Sequence, residues 1–213
     1  MYRNYIKRWM DIFFSASAII ILLPVFLILA FLIGMDMGFP IIYKQERVGK
    51  DEKIFVLYKF RTMNNKRDRK GHLLPDRFRI TKLGKFLRGT SLDELPELVN
   101  ILKGDISIVG PRPLLVAYLP YYTDYERQRH NVRGGLTVPE VLYNNIMPTW
   151  EEQFAYEVDY ANNYSFFMDL RIIFKTVTGL IVRNQKNYGL YIRQPLTEER
   201  KTQNEKSNCH TSA

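Results

Sequence analysis

The sequence predicts an α/β protein, a small mixed domain behind an N-terminal membrane segment. Three observations predict it. Residues 12–33, IFFSASAIIILLPVFLILAFLI, carry no charge and exceed the roughly 20 apolar residues that cross a bilayer as a helix. Residues 41–62 alternate apolar and charged side chains, the period of half-buried strands. From residue 79 onward apolar residues recur at helical spacing.

The first element is the apolar run, with Pro24 near its centre. Proline inside a helix removes one backbone hydrogen bond and favours a kink. Arg3, Lys7 and Arg8 precede the run, and Lys44, Arg47, Lys50, Lys53, Lys59 and Arg61 follow it. Basic residues next to a membrane segment favour the cytoplasmic side, and here both flanks ask for that side. Charge alone leaves two topologies open, a kinked spanning helix and a re-entrant helix broken at Pro24. A cleaved signal peptide fits less well, because the run is long and no small-x-small cleavage site follows it.

Next come two strands, IIYKQERVG and KIFVLYKFRT, joined by KDE, and then a polar loop, NNKRDRKGH, at 64–72. Leu83, Phe86 and Leu87 space as one helix face. Leu95, Leu98, Val99 and Leu102 space as a second, which Gly104 ends. ISIV at 106–109 reads as a short buried strand. Residues 114–130, LLVAYLPYYTDYERQRH, are aromatic at one end and basic at the other; this suits either a membrane-interface helix or an ordinary amphipathic surface helix. A helix is predicted over 166–182, apolar on most sides with Arg171 and Lys175 on one, forming either core or a second membrane-surface element. From 195 onward the polar composition predicts a disordered tail. The expected organisation is a membrane segment at 1–40, a catalytic domain at 41–194 and the tail at 195–213.

The chain's 213 residues allow one domain with a real core. A net charge of +9 implies anionic partners: nucleic acid, lipid headgroups or phosphorylated substrates. One cysteine, Cys209, excludes a disulfide within the chain. His72, His130 and His210 are scattered and have no zinc-ligand spacing.

SLDELPEL at 91–98 sets Asp93 and Glu94 side by side. Ser91 and Glu94 form a capping-box pattern, and Asp93 suits a helix N-terminus. Pro96 fits best as the third helical position, with the helix starting at Asp93. The dipole there would hold Asp93 ionised, competent as a nucleophile or metal ligand. An adjacent carboxylate pair also suits Mg²⁺, which takes one or two carboxylates plus substrate phosphates. Arg112, fixed between Pro111 and Pro113 in GPRP, is suited to grip a phosphate bidentately. Capping and chemistry both remain open on this reading.

Four stretches resemble the bacterial sugar transferases of the monotopic phosphoglycosyl transferase type: KRWMDIFFS at 7–15, YKQERVGKDEKIFVLYKFRTM at 43–63, TKLGKFLRGTSLDELPELVNILKGDISIVGPRP at 81–113 and YANNYSFFMDLRIIFKT at 160–176. The resemblance implies a small α/β domain with amphipathic interfacial helices and an N-terminal re-entrant membrane helix broken at the position of Pro24. It implies transfer of a sugar 1-phosphate from a nucleotide sugar, by default a UDP-sugar, to polyprenol phosphate, with release of a nucleoside monophosphate at the start of surface-glycan assembly. The implied location is the cytoplasmic face of the bacterial inner membrane. Asp93 takes the place of the nucleophile that forms a covalent phosphosugar intermediate. Glu94 joins it in placing Mg²⁺, and Arg112 holds a phosphate. Lys59, Arg61 and Arg88 are expected to line the anionic pocket, or else to face anionic lipid. Asp169 matches a recurrent acid that is either functional or a local partner of a basic side chain.

The sequence departs from the family at RGGLTVPEVLYNNI, 133–146, where a proline before the second glycine, a Gly-Trp-x-Gln run and a later arginine are usual. Gly134, Val138, Pro139, Val141 and Asn145 stand there instead. This reads as an altered recognition loop, with Asn145 as a substrate-contacting candidate. Two other functions compete: a non-catalytic membrane-surface scaffold for a glycan-assembly complex, and a nucleic-acid binder. The second rests on charge alone, with no binding motif to support it, so no nucleic-acid partner is expected. The sugar, the base and the oligomeric state stay open.

Overall fold

A computed structural model describes residues 1–143, 148–182 and 193–202. Helices and strands are mixed, as expected. The order is α1 (Lys7–Met37), β1 (Ile42–Val48), β2 (Ile54–Phe60), α2 (Asp76–Arg79), α3 (Lys82–Thr90), α4 (Glu97–Lys103), β3 (Ile106–Val109), α5 (Asp124–Arg127), β4 (Gly134–Thr137), α6 (Trp150–Asn163) and α7 (Phe166–Val182). The chain forms two compact units, residues 1–45 with 56–108 and residues 46–55 with 109–213. The apolar segment is therefore part of the first unit rather than a segment apart from it.

In the first unit α1 is helical from Lys7 to Met37, Pro24 included. Phe13, Phe14, Ile20, Ile21, Leu23, Leu27, Ile28 and Phe31 are exposed along it, and the helix is long and apolar enough to cross a membrane. Its two ends are not exposed in the same way. Near the start, Arg8 donates to the carbonyls of Ile101 and Leu102 at 2.6 and 2.8 Å. These lie in the last turn of α4, where carbonyls lack helical partners and the dipole favours a cation. Buried Asp11 accepts from Ser107 Oγ and the Ile108 amide, both at 3.0 Å. Near the other end, Leu29, Ile33 and Met37 form a core with Phe60 and Leu87.

β1 and β2 form the expected hairpin. Buried Asn100 ties α4 to it. Its side chain accepts from the Tyr58 amide at 3.0 Å and donates to Val56 O at 2.7 Å. α3 is capped by Thr81, whose hydroxyl accepts from the Gly84 amide at 3.0 Å. A Cβ at Gly84 would lie 1.9 Å from Thr62 O, so only glycine lets α3 approach the end of β2 this closely. Gly104 ends α4 in the left-handed conformation at φ 90°, as its position predicts.

In the second unit the hairpin tip packs on 109–115, where Val48 N donates to Leu114 O at 3.1 Å. Leu114, Tyr118, Tyr122, Trp150, Phe154 and Leu196 form its core. Thr149 starts α6 with a full capping box to Glu152. Two expectations change here. Residues 114–130 are not one surface helix but short turns around α5, and Tyr118, Tyr122 and Arg129 are buried; the proline at 120 and the Thr123 cap break the stretch into pieces. The tail expected from 195 begins with an anchored stretch. Leu196 is wholly buried, Trp150 Nε1 donates to Gln194 O at 3.1 Å, and Arg200 reaches Glu126 at 2.5 Å. Residues 203–213 lie outside the described residues. α7 carries exposed Phe167, Leu170, Phe174 and Val177 at i, i+3, i+7 and i+10, an apolar stripe along one face.

Candidate active site

Asp93 and Glu94 sit in a single 3-10 turn, Leu92–Glu94, between α3 and α4. The predicted helix start at Asp93 is corrected: α4 begins at Glu97, with Pro96 as its N-cap residue. The capping box is also corrected. Ser91 adopts φ 56° and its side chain makes no capping bond to this turn. Instead it closes α3, its amide donating to the carbonyls of Arg88 and Leu87. Leu92 and Leu95 pack against the Leu29–Ile33–Phe60–Leu87 core. That packing anchors the turn, and the two acids between the leucines are half-exposed.

Lys59, on β2, faces this turn. Its ammonium donates to Glu94 Oε1 at 2.7 Å and lies 3.1 Å from Glu97 Oε1. Glu97 is a site member that sequence reasoning missed. The signal was its place three residues after Glu94, one helical step away. Arg88 donates from Nε to the Thr62 hydroxyl at 2.9 Å, which fixes the guanidinium beside the turn.

The Asp93 carboxyl is pushed above the usual carboxylate range. Burial is the larger cause and the neighbouring Glu94 carboxylate the next; Lys59 and Arg88 pull it back down. The expected dominance of the helix dipole is therefore reversed. The turn is too short to supply a macrodipole, and desolvation wins.

The other predicted residues are placed as follows. Arg61 is buried, with Nε donating to Met63 O at 2.8 Å and one Nη to Phe39 O at 3.3 Å. It braces backbone in the first unit. Arg112 and Asp169 belong to the second unit. Arg112 is exposed, but its peptide is gripped: its amide donates to Glu157 Oε1 at 3.0 Å and its carbonyl accepts from Arg129 at 2.5 Å. Asp169 is buried and accepts from the Tyr160 hydroxyl at 2.7 Å. Asn145 lies outside the described residues.

Glu140, in the turn Pro139–Leu142, is pushed well above the carboxylate range by burial and then by Glu157, while Arg112 pulls it down. The Arg112 turn itself packs on glycines. Gly110 N donates to Thr137 O at 3.1 Å and Gly135 N to Pro111 O at 2.9 Å, and a Cβ at Gly134 would lie 2.7 Å from Pro113 Cγ.

No group of three or more metal-ligating side chains occurs among the described residues. The Asp93–Glu94 pair still fits Mg²⁺, which binds through one or two carboxylates and completes its shell with phosphate and water. The mutual repulsion that raises Asp93 is what a divalent cation would relieve.

Comparison with known proteins shows what the chain resembles. The sequence model of the family described as "Bacterial sugar transferase" matches residues 2–183. The chain is 43% identical over 200 residues to "Uncharacterized sugar transferase EpsL" of Bacillus subtilis (strain 168), covering 92% of this chain and 96% of that one. It is 35% identical over 181 residues to "UDP-glucose:undecaprenyl-phosphate glucose-1-phosphate transferase" of Klebsiella pneumoniae, covering 80% of this chain and 39% of that one. It is 33% identical over 185 residues to "UDP-N-acetylgalactosamine-undecaprenyl-phosphate N-acetylgalactosaminephosphotransferase" of Aeromonas hydrophila, covering 83% and 44%. The chain thus spans less than half the length of the last two.

Proposed function

The chain belongs to the bacterial sugar transferase family, a transferase, and on that premise we propose that it moves a sugar 1-phosphate from a UDP-sugar to undecaprenyl phosphate through a phosphosugar ester on Asp93. The observation that carries the proposal is the Leu92–Glu94 turn, where a half-exposed aspartate is set between a second carboxylate and two cations, Lys59 and Arg88. Relatives named for sugar-phosphate transfer to undecaprenyl phosphate support the substrate classes.

In this mechanism an Asp93 carboxylate oxygen attacks the β-phosphorus of the donor. The bond from that phosphorus to the bridging oxygen breaks, and uridine monophosphate leaves with the bond's electron pair. An oxygen of polyprenol phosphate then attacks the same phosphorus. The acyl phosphate opens, Asp93 is regenerated as carboxylate, and a polyprenol diphosphate sugar departs. Burial gives Asp93 a basic, poorly solvated carboxylate, and Lys59 and Arg88 keep enough of it ionised to react. Lys59 also fixes Glu94. Asp93 and Glu94 would hold Mg²⁺, which would neutralise pyrophosphate charge. Arg112 serves as a phosphate-holding guanidinium.

The proposed membrane arrangement rests on α1. Arg8 and Asp11 are bonded to residues 101–108, while Leu29, Ile33 and Met37 are packed on Phe60 and Leu87. A straight helix rises about 1.5 Å per residue, so these anchors would stand well apart across a spanning segment. Both are held by the same unit, and a bilayer core of about 30 Å between them would tear one loose. The proposal is a helix that enters and leaves on one face, turned at Pro24, with the basic flanks placing that face toward the cytoplasm. The exposed apolar stripe of α7 suits contact with a membrane surface.

The test is release of nucleoside monophosphate from a panel of nucleotide sugars by membranes carrying undecaprenyl phosphate. Wild-type protein releases it with at least one UDP-sugar, and Asp93→Asn does not. Undiminished release by the variant removes Asp93 as nucleophile.

A further inference from the structure

The second unit buries an ionic cluster that the mechanism above does not use. Arg129 and Glu157 are 1% and 0% exposed. Arg129 Nε donates to Glu157 Oε2 at 2.6 Å. A second nitrogen of the same guanidinium, Nη2, donates to the Arg112 carbonyl at 2.5 Å, and Glu157 Oε1 accepts from the Arg112 amide at 3.0 Å. One buried pair thus holds both ends of a single residue's backbone, and that residue is itself exposed.

A buried ion pair is an expensive way to stabilise a fold, since desolvation takes back most of its attraction. What it supplies is fixed geometry. The supports around it are consistent with that use. Gln153 donates to Glu157 Oε1 at 3.0 Å and in turn accepts from Arg193 at 2.9 Å. Tyr122 and Phe154 flank the Arg129 guanidinium at 5.7 and 5.6 Å. Pro111 and Pro113 stiffen the same turn from within.

We infer that Arg129 and Glu157 are positioning residues for Arg112, holding its peptide so that its guanidinium meets the donor or acceptor phosphate in one fixed orientation. The inference rests on the phosphate role given to Arg112 under the proposed function. A phosphate clamp works only if its fork is pre-set, because a displacement of about 1 Å at such a group can cost on the order of 100-fold in rate.

The test is a double-mutant cycle with a second, activity-independent readout. Arg129→Lys keeps the charge but cannot span Glu157 and the Arg112 carbonyl together; Glu157→Gln keeps the shape but not the charge. Each is measured by monophosphate release in full-length protein in membranes, alone and combined with Arg112→Ala. The expected result is a loss of about tenfold or more in kcat/KM in the wild-type background and less than about twofold in the Arg112→Ala background. Equal losses in both backgrounds overturn the inference, because the pair would then act on the fold and not through Arg112. Hydrogen exchange at the Arg112 amide is followed in the same proteins and is expected to speed up by about tenfold or more. Unchanged exchange in a folded variant overturns the inference whatever the activity. A wild-type protein that releases no monophosphate sinks the proposed function instead, and the exchange readout still decides whether the pair holds the turn.

Discussion

Replacing Lys59 by methionine isolates the electrostatics of the Asp93 turn. The ammonium lies 2.7 Å from Glu94 and 3.1 Å from Glu97, with side-chain exposures of 22%, 26% and 5% in that order. The Glu94 contact is reached by water and contributes no more than about 1 kcal/mol. Glu97 is inside, and breaking a fully buried pair costs about 3–5 kcal/mol; a partly wetted lysine brings this down to roughly 2 kcal/mol. The expected loss is about 2–3 kcal/mol in all, near 5–10 °C in Tm for a chain of this size. The catalytic effect has a definite sign. Lys59 lowers the Asp93 pKa, so removing it leaves burial and Glu94 less opposed. Asp93 then ionises at higher pH, and the acid limb of kcat/KM for monophosphate release moves upward. Lys59→Arg, which keeps the cation, moves the limb less. An acid limb that stays put or moves downward in folded Lys59→Met protein would refute the placement of Lys59 against the reacting carboxylate.

Three further outcomes follow from the same structure. Glu140, raised above its unfolded value, binds a proton in the native state that the unfolded chain releases; stability therefore falls as pH climbs from about 4.5 toward the native value. Glu140→Gln should flatten that fall and raise Tm at pH 7–8, and an unchanged pH slope in urea melts would contradict it. Gly84→Ala drives a methyl to within 1.9 Å of the Thr62 carbonyl. It should cost about 3 kcal/mol or prevent folding, and a Tm within 2 °C of wild type, about 0.5–1 kcal/mol, would show that α3 has room to retreat. With Cys209 replaced by serine, single cysteines introduced at Arg3 and Lys53 should both react with an impermeant thiol reagent only from the cytoplasmic side; labelling from opposite sides would establish a spanning α1.

Local pattern carried much of the fold. The hairpin, β3, the Gly104 stop and α7 stand where alternation, run length and helical spacing put them, because each is decided by neighbours within a turn or a strand. The misplaced features were decided from farther away. The start of α4 moved from Asp93 to Glu97 because Leu92 and Leu95 are drawn into a core shared with Phe60 and α1. Residues 114–130 carry an amphipathic composition, yet Tyr118 and Tyr122 are claimed by Trp150 and Phe154 on α6. Leu196 closes that same core, and one leucine in a polar tail gives no periodic signal. The buried pairs are the least legible of all. Asp11 and Ser107 lie 96 residues apart, and Arg129 and Glu157 lie 28 apart. Nothing in a charged residue's immediate context says that its partner waits inside a core. In the candidate site, Asp93, Glu94, Lys59 and Arg88 were all readable from their motifs, whereas Glu97 became visible only once Lys59 was seen between two carboxylates.

The account turns on Asp93 as the atom that takes the phosphosugar, and intact-protein mass measurement tests it most directly. Purified protein is incubated with the UDP-sugar found active in the panel and Mg²⁺ in detergent, without polyprenol phosphate, and quenched in acid. The expected result is an added mass of one sugar phosphate, located on the peptide containing Asp93, lost on adding undecaprenyl phosphate and absent in Asp93→Asn. An adduct on another residue, or steady turnover by Asp93→Asn, would contradict it.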